Sequence, residues 1–292
     1  MKPAPFEYFS PETLDEALLL LAGHGSDAKP LAGGQSLIPA MNFRLATPSV
    51  LVDLNAIVGL SRITEHEGAL RIGGMARHRT LERSDLVARH APLVSAAMPF
   101  VAHAAIRTRG TLGGSLAHAD PAAELPAVML ALEARFTVRN HERARVVAAT
   151  DFFVGLFTTG LEPGELLTEI EIPALPPRSG VAFEEISRRH GDFALAGAAA
   201  IVSLDDAGRC TLARVALLSL SDRPVVADRV SAALVGHAPS AGAIRDAAEA
   251  AAQHDIDPTS DIHASSSYRR QLAAVLTRRV LERALAAART PS

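Results

Sequence analysis

Apolar positions in the first half of the chain recur in short blocks whose period changes repeatedly. Leu14, Ala17, Leu18 and Leu21 share one helical face. They follow Ser10-Pro11-Glu12, which reads as a helix start with Ser10 as N-cap, and Gly23 or Gly25 ends the helix. Lys29 to Ala32 reads as a short strand, residues 35–44 as a short helix or turn, and Val50 to Leu54 and Leu70 to Gly73 as compact apolar strands. Arg79 to Met98 is mostly helical in pattern. Ile106 through Pro121 is rich in Gly, Thr and Ser and reads as too irregular for a helix, whereas Glu124 to Leu132 is helical. Phe136 to Arg139 and Arg145 to Ala148 read as paired strands across Asn140-His141-Glu142, and Leu166 to Ile172 alternates as a strand.

A proline-rich stretch, residues 173–180, then marks the expected domain boundary, with one unit over 1–175 and a second over 180–292. Val181 to Ser187, Ala196 to Leu204 and Thr211 to Leu220 read as three strands, with a hairpin turn at residues 205–208. Three alanine-rich helices follow, over Val225 to Val235, Ala241 to Ala252 and Ser267 to Ala288. The last sets Leu272, Val275, Leu276 and Val280 against Arg269, Arg270, Arg278 and Arg279, a face expected to be solvated.

Composition narrows the function. The chain has 292 residues, 48% of them hydrophobic, and a net charge of -3, so bulk charge recruits neither nucleic acid nor an anionic membrane. Aromatic residues make up 4%, which leaves little surface for stacking bases. No N-terminal segment resembles a signal peptide and no apolar run is long enough to span a bilayer, so the expected location is the cytoplasm. The single cysteine, Cys210, excludes a disulfide framework and any cluster ligated by this chain's own cysteines; it reads as a small buried residue in a strand. The histidines lack ligand spacing, so no metal site is expected.

Two glycine-rich segments carry the chemistry: Leu31-Ala32-Gly33-Gly34-Gln35-Ser36, and Ile106 to Pro121 with Thr111, Gly113, Gly114 and Ser115 at its centre. Without side chains in the way, several backbone N–H groups can converge on an anion, and Ser36, Thr111 and Ser115 add hydroxyls. A carboxylate, Glu124, follows the second segment. Two such loops suggest a large ligand held at several points, such as a dinucleotide. No Gly-x-Gly-x-x-Gly, P-loop, His-Glu-x-x-His or Gly-x-Ser-x-Gly pattern is present, which argues against Rossmann, ATPase, zinc-protease and serine-hydrolase chemistry. A third pair, Gly73-Gly74, lies midway between the others, but the flanking residues show no repeat.

Four segments occur in a telling order: Leu31-Ala-Gly-Gly-Gln-Ser-Leu-Ile-Pro39, Leu51-Val-Asp-Leu-Asn55, residues 106–121, and Ser187-Arg-Arg-His-Gly-Asp-Phe-Ala-Leu-Ala-Gly197. Together they resemble the FAD-binding medium subunit of the molybdenum hydroxylases, the carbon monoxide dehydrogenase and xanthine dehydrogenase group. The resemblance implies an α+β fold: a two-part FAD-binding domain of the vanillyl-alcohol oxidase (PCMH) type, then a three-stranded antiparallel sheet with a helical bundle. It implies that Ala32, Gly33, Gly34, Gln35 and Ser36 wrap the FAD pyrophosphate, that Thr111 to Ser115, with Gly113 and Gly114, form the second FAD loop, and that Leu31 and Ile106 also contact the cofactor. Asp120 and Glu124 would contact the cofactor, Leu167 would give it an apolar contact, and Glu184 and Asp192 would lie near the flavin. Gln35 stands where many bacterial members have His, and Glu184 where Lys is frequent.

The same resemblance implies an electron-transfer subunit with no catalytic acid or base of its own. Its partners would be a large molybdenum-cofactor subunit and a small [2Fe–2S] subunit, in a dimer of heterotrimers. Electrons would arrive from the clusters and leave to NAD, quinone or oxygen. Two other readings compete. One is a self-contained FAD oxidase or dehydrogenase of the vanillyl-alcohol oxidase type, for which the region after Ile172 is short. The other is a cofactor-free structural subunit, which the two intact glycine loops oppose.

Overall fold

The computed structural model describes residues 2–290; the expected domain limits at 1 and 292 lie outside them. The chain opens with a small parallel sheet of order β1–β3–β2, formed by β1 (Glu7–Phe9), β2 (Ala28–Leu31) and β3 (Val50–Asp53). Helix α1 (Leu14–His24) buries Ala17, Leu18 and Leu21 in the core of this unit. Its N-cap is Thr13, not Ser10: the Thr13 hydroxyl accepts from the Glu16 N–H at 3.2 Å. A cap accepts from the N–H two or three residues on, and Thr13 does so with Asp15 and Glu16 in the first turn. Helix α2 (Leu37–Asn42) connects β2 to β3.

A five-stranded antiparallel sheet follows, of order β4–β5–β10–β6–β7: β4 (Ile63–His66), β5 (Ala69–Gly73), β6 (Arg135–Arg139), β7 (Ala144–Ala148) and β10 (Leu166–Ile172). The hairpin expected across residues 140–142 forms here. Between β5 and β6 run six short helices. Three of them, α3 (His78–Arg83), α4 (Asp85–His90) and α5 (Pro92–Ala97), occupy the stretch that reads as mostly helical. The Ser84 hydroxyl caps α4 and Pro92 starts α5, so local signals divide the run.

Residues 106–121 correct the expectation of irregular backbone. They contain the end of α6 (Ala104–Arg107) and the whole of α7 (Leu112–His118). Thr111 caps α7, and burial of Leu112, Gly113 and Leu116 outweighs the weak helix propensity of two glycines. Every residue of the next helix, α8 (Glu124–Ala131), is buried. An all-round buried helix needs neighbours on every side. Here α8 packs on α5 and α7 and on the strands of the C-terminal sheet, in one continuous apolar core. Helix α9 (Ala149–Phe152) and the hairpin β8 (Phe153–Gly155)–β9 (Thr158–Thr159) complete this region.

The C-terminal sheet is antiparallel, of order β11–β12–β13–β14. Its long strands β11 (Ser179–Ser187), β12 (Ala194–Leu204) and β13 (Cys210–Leu218) are the three expected. Val225–Val226 forms a fourth, β14, so helix α10 (Asp228–Leu234) starts later than the alanine pattern suggests. Cys210 is buried in β13 as expected. Helices α11 (Ala241–His254) and α12 (Ser266–Arg289) pack together, and α12 lies across β11 and β12. The arginine face of α12 is not simply solvated. Arg269 is buried and donates to the carbonyls of Leu195 (2.5 Å) and Ser219 (3.2 Å) and to Asp261 (2.6 Å). Arg270 caps the end of α11 through the Ala252 carbonyl at 2.8 Å. Among the described residues no helix is long and apolar enough to cross a membrane.

Candidate functional site

The two glycine loops, some seventy-five residues apart in the chain, lie side by side. The first leaves β2 at Leu31 and runs to the exposed Ser36 before α2. The second crosses from α6 into α7. Gly33 is buried against the second loop: a β-carbon there would overlap the carbonyl oxygen of Arg109 and lie 2.9 Å from the Gly110 Cα. One loop further, a β-carbon on Gly114 would lie 3.5 Å from the Ala32 Cβ. Gly33 therefore serves close approach of backbone to backbone, while Gly114 leaves room for the Thr111 hydroxyl, 2.7 Å from where its β-carbon would stand.

Gly73-Gly74 joins the same contact. The Gly113 N–H donates to the Gly74 carbonyl at 2.8 Å, and the Gly74 N–H donates to the Thr168 carbonyl at 2.9 Å. A β-carbon on Gly74 would overlap the Leu167 carbonyl oxygen, so Leu167 is placed behind the second loop, where β10 is bulged. The three pairs are unrelated as sequence, yet they stack on one another in space. Only the fold could reveal that.

Polar side chains fix the pair of loops. Asn55 Nδ2 donates to the Ala32 carbonyl at 3.1 Å. Arg77 spans both loops: Nη2 donates to Asn55 Oδ1 at 2.5 Å, and Nη1 donates to the Arg109 carbonyl. Burial, then the like charge of Arg109, lowers the proton affinity of Arg77. Behind the second loop, His78 is buried with Nε2 at 2.9 Å from the Thr111 carbonyl, and burial pushes its pKa down to about 4. It is the neutral imidazole at physiological pH, with its N–H on Nε2 donating to that carbonyl. The Thr111 hydroxyl accepts from the Gly114 N–H at 3.1 Å, and the Ser115 N–H donates to the Thr111 carbonyl at 3.0 Å. Ile106, exposed on α6, accepts at its carbonyl from the Gly110 N–H at 2.8 Å. Arg77, Asn55 and His78 were not singled out by sequence reading; Asn55 lies in a quoted motif, and the others carried no signal.

The first loop has the chemistry of an anion cradle. Among the described residues, the N–H groups of Gly33, Gly34, Gln35 and Ser36 donate to no protein acceptor outside regular secondary structure. Gly34 holds φ at 71°, and Gln35 Nε2 turns back to the Gly33 carbonyl at 3.1 Å. Successive free amides in such a turn converge on phosphate oxygens. These residues fit the diphosphate of a dinucleotide.

Beyond the second loop the chain turns at Asp120, whose Oδ1 accepts from the Ala122 N–H at 2.9 Å. Asp120 and Asp192 both line a cleft of about 870 Å³ between this turn, the β8–β9 hairpin and the C-terminal sheet. Phe157 and Phe193 line it with exposed rings, and Arg188 pairs with Asp192 at 3.8 Å. Glu124, first residue of α8, is buried, and burial raises its pKa to about 7. Glu184 does not join this group. It leaves β11 on the opposite face and pairs with Arg279 (2.9 Å) and Arg283 (3.0 Å) on α12. Alternation along the strand turns its neighbour Glu185 toward α8 instead. The strand's pleat directs the Glu184 side chain to the helical bundle, where α12 supplies its partners.

Comparison with known proteins finds relatives over nearly the whole chain. Residues 4–175 match the family described as FAD binding domain in molybdopterin dehydrogenase, and residues 181–284 the CO dehydrogenase flavoprotein C-terminal domain. The alpha subunit of the 6-hydroxypseudooxynicotine dehydrogenase complex of Paenarthrobacter nicotinovorans is 43% identical, covering 99% of this chain and 97% of its own length. The carbon monoxide dehydrogenase medium chain of Afipia carboxidovorans is 40% identical over 99% of this chain and 100% of its own. Among solved structures, quinoline 2-oxidoreductase from Pseudomonas putida 86 superposes with a TM-score of 0.94 at 41% identity, over 99% of this chain and 100% of that one.

Proposed function

The chain belongs to the FAD-binding subunits of the molybdenum hydroxylases, and on that premise we propose that it carries electrons from a partner subunit's iron–sulfur clusters to an external acceptor. It is the flavoprotein subunit of an oxidoreductase, and its cofactor is FAD. The observation that carries the reading is the apposition of the two loops around a row of free amides. Residues 31–36 and Thr111 to Ser115 would together hold the FAD diphosphate. Asn55 and Arg77 hold the loops at the spacing a diphosphate needs. Glu124 and Asp120 would accept from cofactor hydroxyls, and Asp192, which lines the 870 Å³ cleft, would lie near the ring. FAD supplies the redox chemistry when bound; the residues around it bind, orient and shield it.

Residues 1–175 form the PCMH-type cofactor-binding unit and 180–292 the C-terminal unit. The partners are a large molybdenum-cofactor subunit and a small [2Fe–2S] subunit in a dimer of heterotrimers in the cytoplasm. The family of relatives favours this over a self-contained oxidase, since the relatives are named as subunits or chains of larger dehydrogenases. Co-purification of the tagged chain from its host, with mass identification of bound chains, tests the assembly. Recovery of a molybdenum subunit and an iron–sulfur subunit with stoichiometric flavin supports it. A colourless lone chain contradicts it.

A further inference from the structure

Three walls of the cleft meet at Ser219, the residue directly after β13. Its N–H donates to the Pro121 carbonyl at 2.8 Å, in the turn that follows the second glycine loop. Its hydroxyl donates to the Ala194 carbonyl at 2.6 Å, where β12 begins directly after Phe193. Its own carbonyl accepts from Arg269 Nη1 at 3.2 Å. N–H, hydroxyl and carbonyl are thus committed, each to a different segment. Ser219 also holds φ at 61°. A serine adopts that region rarely, and it persists only where the surroundings over-determine it. Three bonds to three segments do so here.

Arg269 completes the junction. It is 7% exposed and closes the first turn of α12, at the helix end whose dipole disfavours a cation. A guanidinium buried there is tolerated only with specific partners. Nη1 donates to the Leu195 carbonyl as well as to that of Ser219, and Nη2 donates to Asp261 at 2.6 Å. Asp261 in turn accepts from the N–H groups of His263 at 2.8 Å and Ala264 at 2.9 Å. Among the described residues, the buried Nε of Arg269 has no partner. Arg269 therefore grips the same ends of β12 and β13 that Ser219 joins, and pins both to the loop before α12. Asp120, Asp192, Phe193, Ser219, Asp261 and Arg269 all line the 870 Å³ cleft.

We propose that Ser219 and Arg269 are positioning residues for the flavin ring: together they lock the strand that follows Asp192 and Phe193 to the turn that carries Asp120, and so set the width of the cleft. The role rests on the reading above that puts the ring there. Both residues act through the backbone they hold. None of their hydrogen bonds reaches the first glycine loop, so the diphosphate end of FAD is expected to bind independently of this clamp.

The test compares the purified full chain with Ser219→Ala, Arg269→Met and Phe193→Ala, each loaded with FAD. Visible circular dichroism of the bound flavin reads the surroundings of the ring. Competition by ADP, which carries the diphosphate without the ring, reads the other end of the cofactor alone. Where the cleft must reorder on binding, Ser219→Ala should weaken FAD roughly fivefold and Arg269→Met roughly tenfold. Both should change the flavin's dichroism and leave ADP affinity at the parent's value. If Arg269→Met fails to fold, Ser219→Ala, which removes one hydroxyl, carries the test. Phe193→Ala strips an exposed ring from the cleft wall and checks the flavin's placement separately. Dichroism that changes in Phe193→Ala but in neither clamp variant overturns the clamp and leaves the ring's placement standing. Equal losses of FAD and ADP affinity in the clamp variants, with unchanged dichroism, reduce both residues to general braces of the fold and overturn it too. Dichroism unchanged in all three variants overturns the ring's placement and the clamp together, and a parent that takes up no FAD overturns the cofactor reading on which both rest.

Discussion

Gly33 meets Arg109 backbone to backbone, so closely that a β-carbon on Gly33 would overlap the Arg109 carbonyl oxygen. The same carbonyl accepts from Arg77, and Arg77 reaches Asn55, which holds the Ala32 carbonyl. Two loops far apart in the chain are thereby fixed at one spacing, and that spacing sets what can be bound between them.

Gly33→Ala should force the loops apart. Overpacking against backbone costs about 1–3 kcal/mol, because a backbone wall has no rotamer to yield. The expected result is a lower urea midpoint and a fall in the flavin-to-protein absorbance ratio. Wild-type flavin content in this variant contradicts the contact.

Arg77→Met keeps the apolar stem and removes the hydrogen bonds to Arg109 and Asn55. Loss of two solvent-exposed hydrogen bonds costs about 1 kcal/mol, equivalent to roughly fivefold in FAD dissociation constant if the loops must reorder on binding. Arg77→Lys should recover only part, since an ammonium does not span two acceptors as a fork does. Titration of the apo chain with FAD measures both.

Thr111→Val should fray α7. It removes the hydroxyl that satisfies the Gly114 N–H, at a cost of about 1 kcal/mol. Thr111→Ser should restore stability, because the cap needs the oxygen and not the methyl. Thermal melts of the three proteins decide it; equal losses for Val and Ser contradict the cap.

A loss of stability toward acid pH is expected at Glu165. Its carboxylate accepts from Arg145 through Nη2 at 2.6 Å and Nε at 2.8 Å, and from the Glu162 N–H at 2.8 Å. The Arg145 hydrogen bonds hold its pKa below the usual carboxylate range. Its stabilisation is present above the unfolded value and is lost as pH falls through the lower folded value. Glu165→Gln should therefore cost about 2 kcal/mol at neutral pH, and the gap to the parent should close on acidification. A gap that stays constant down to strongly acid pH contradicts the ion pair.

Much of the site was legible because its chemistry is local. Gly-Gly beside Ser marks the free amides of the first loop, and Asn55, two residues beyond the strand Val50 to Asp53, serves that loop; the second loop's amides are instead spent on Gly74 and Thr111 within the fold. What was hidden depends on long-range contact. The second loop hides a helix because tertiary burial of Leu112 and Leu116 overrides two glycines. The role of Gly73-Gly74 depends on packing against Gly113, 39 residues onward. Glu184 and Glu185 are indistinguishable without the strand's facing, which only its neighbours α8 and α12 decide. Arg269 reads as surface on a helical wheel, yet the loop at Asp261 and the strand ends at Leu195 and Ser219 close over it.

The most direct test of the account is the structure of the purified chain loaded with FAD. One diphosphate should lie within hydrogen-bonding distance of both the Gly33–Ser36 amides and the Thr111–Ser115 segment, with the ring in the cleft beside Asp192. A diphosphate held by one loop alone, or a flavin bound elsewhere on the chain, contradicts it.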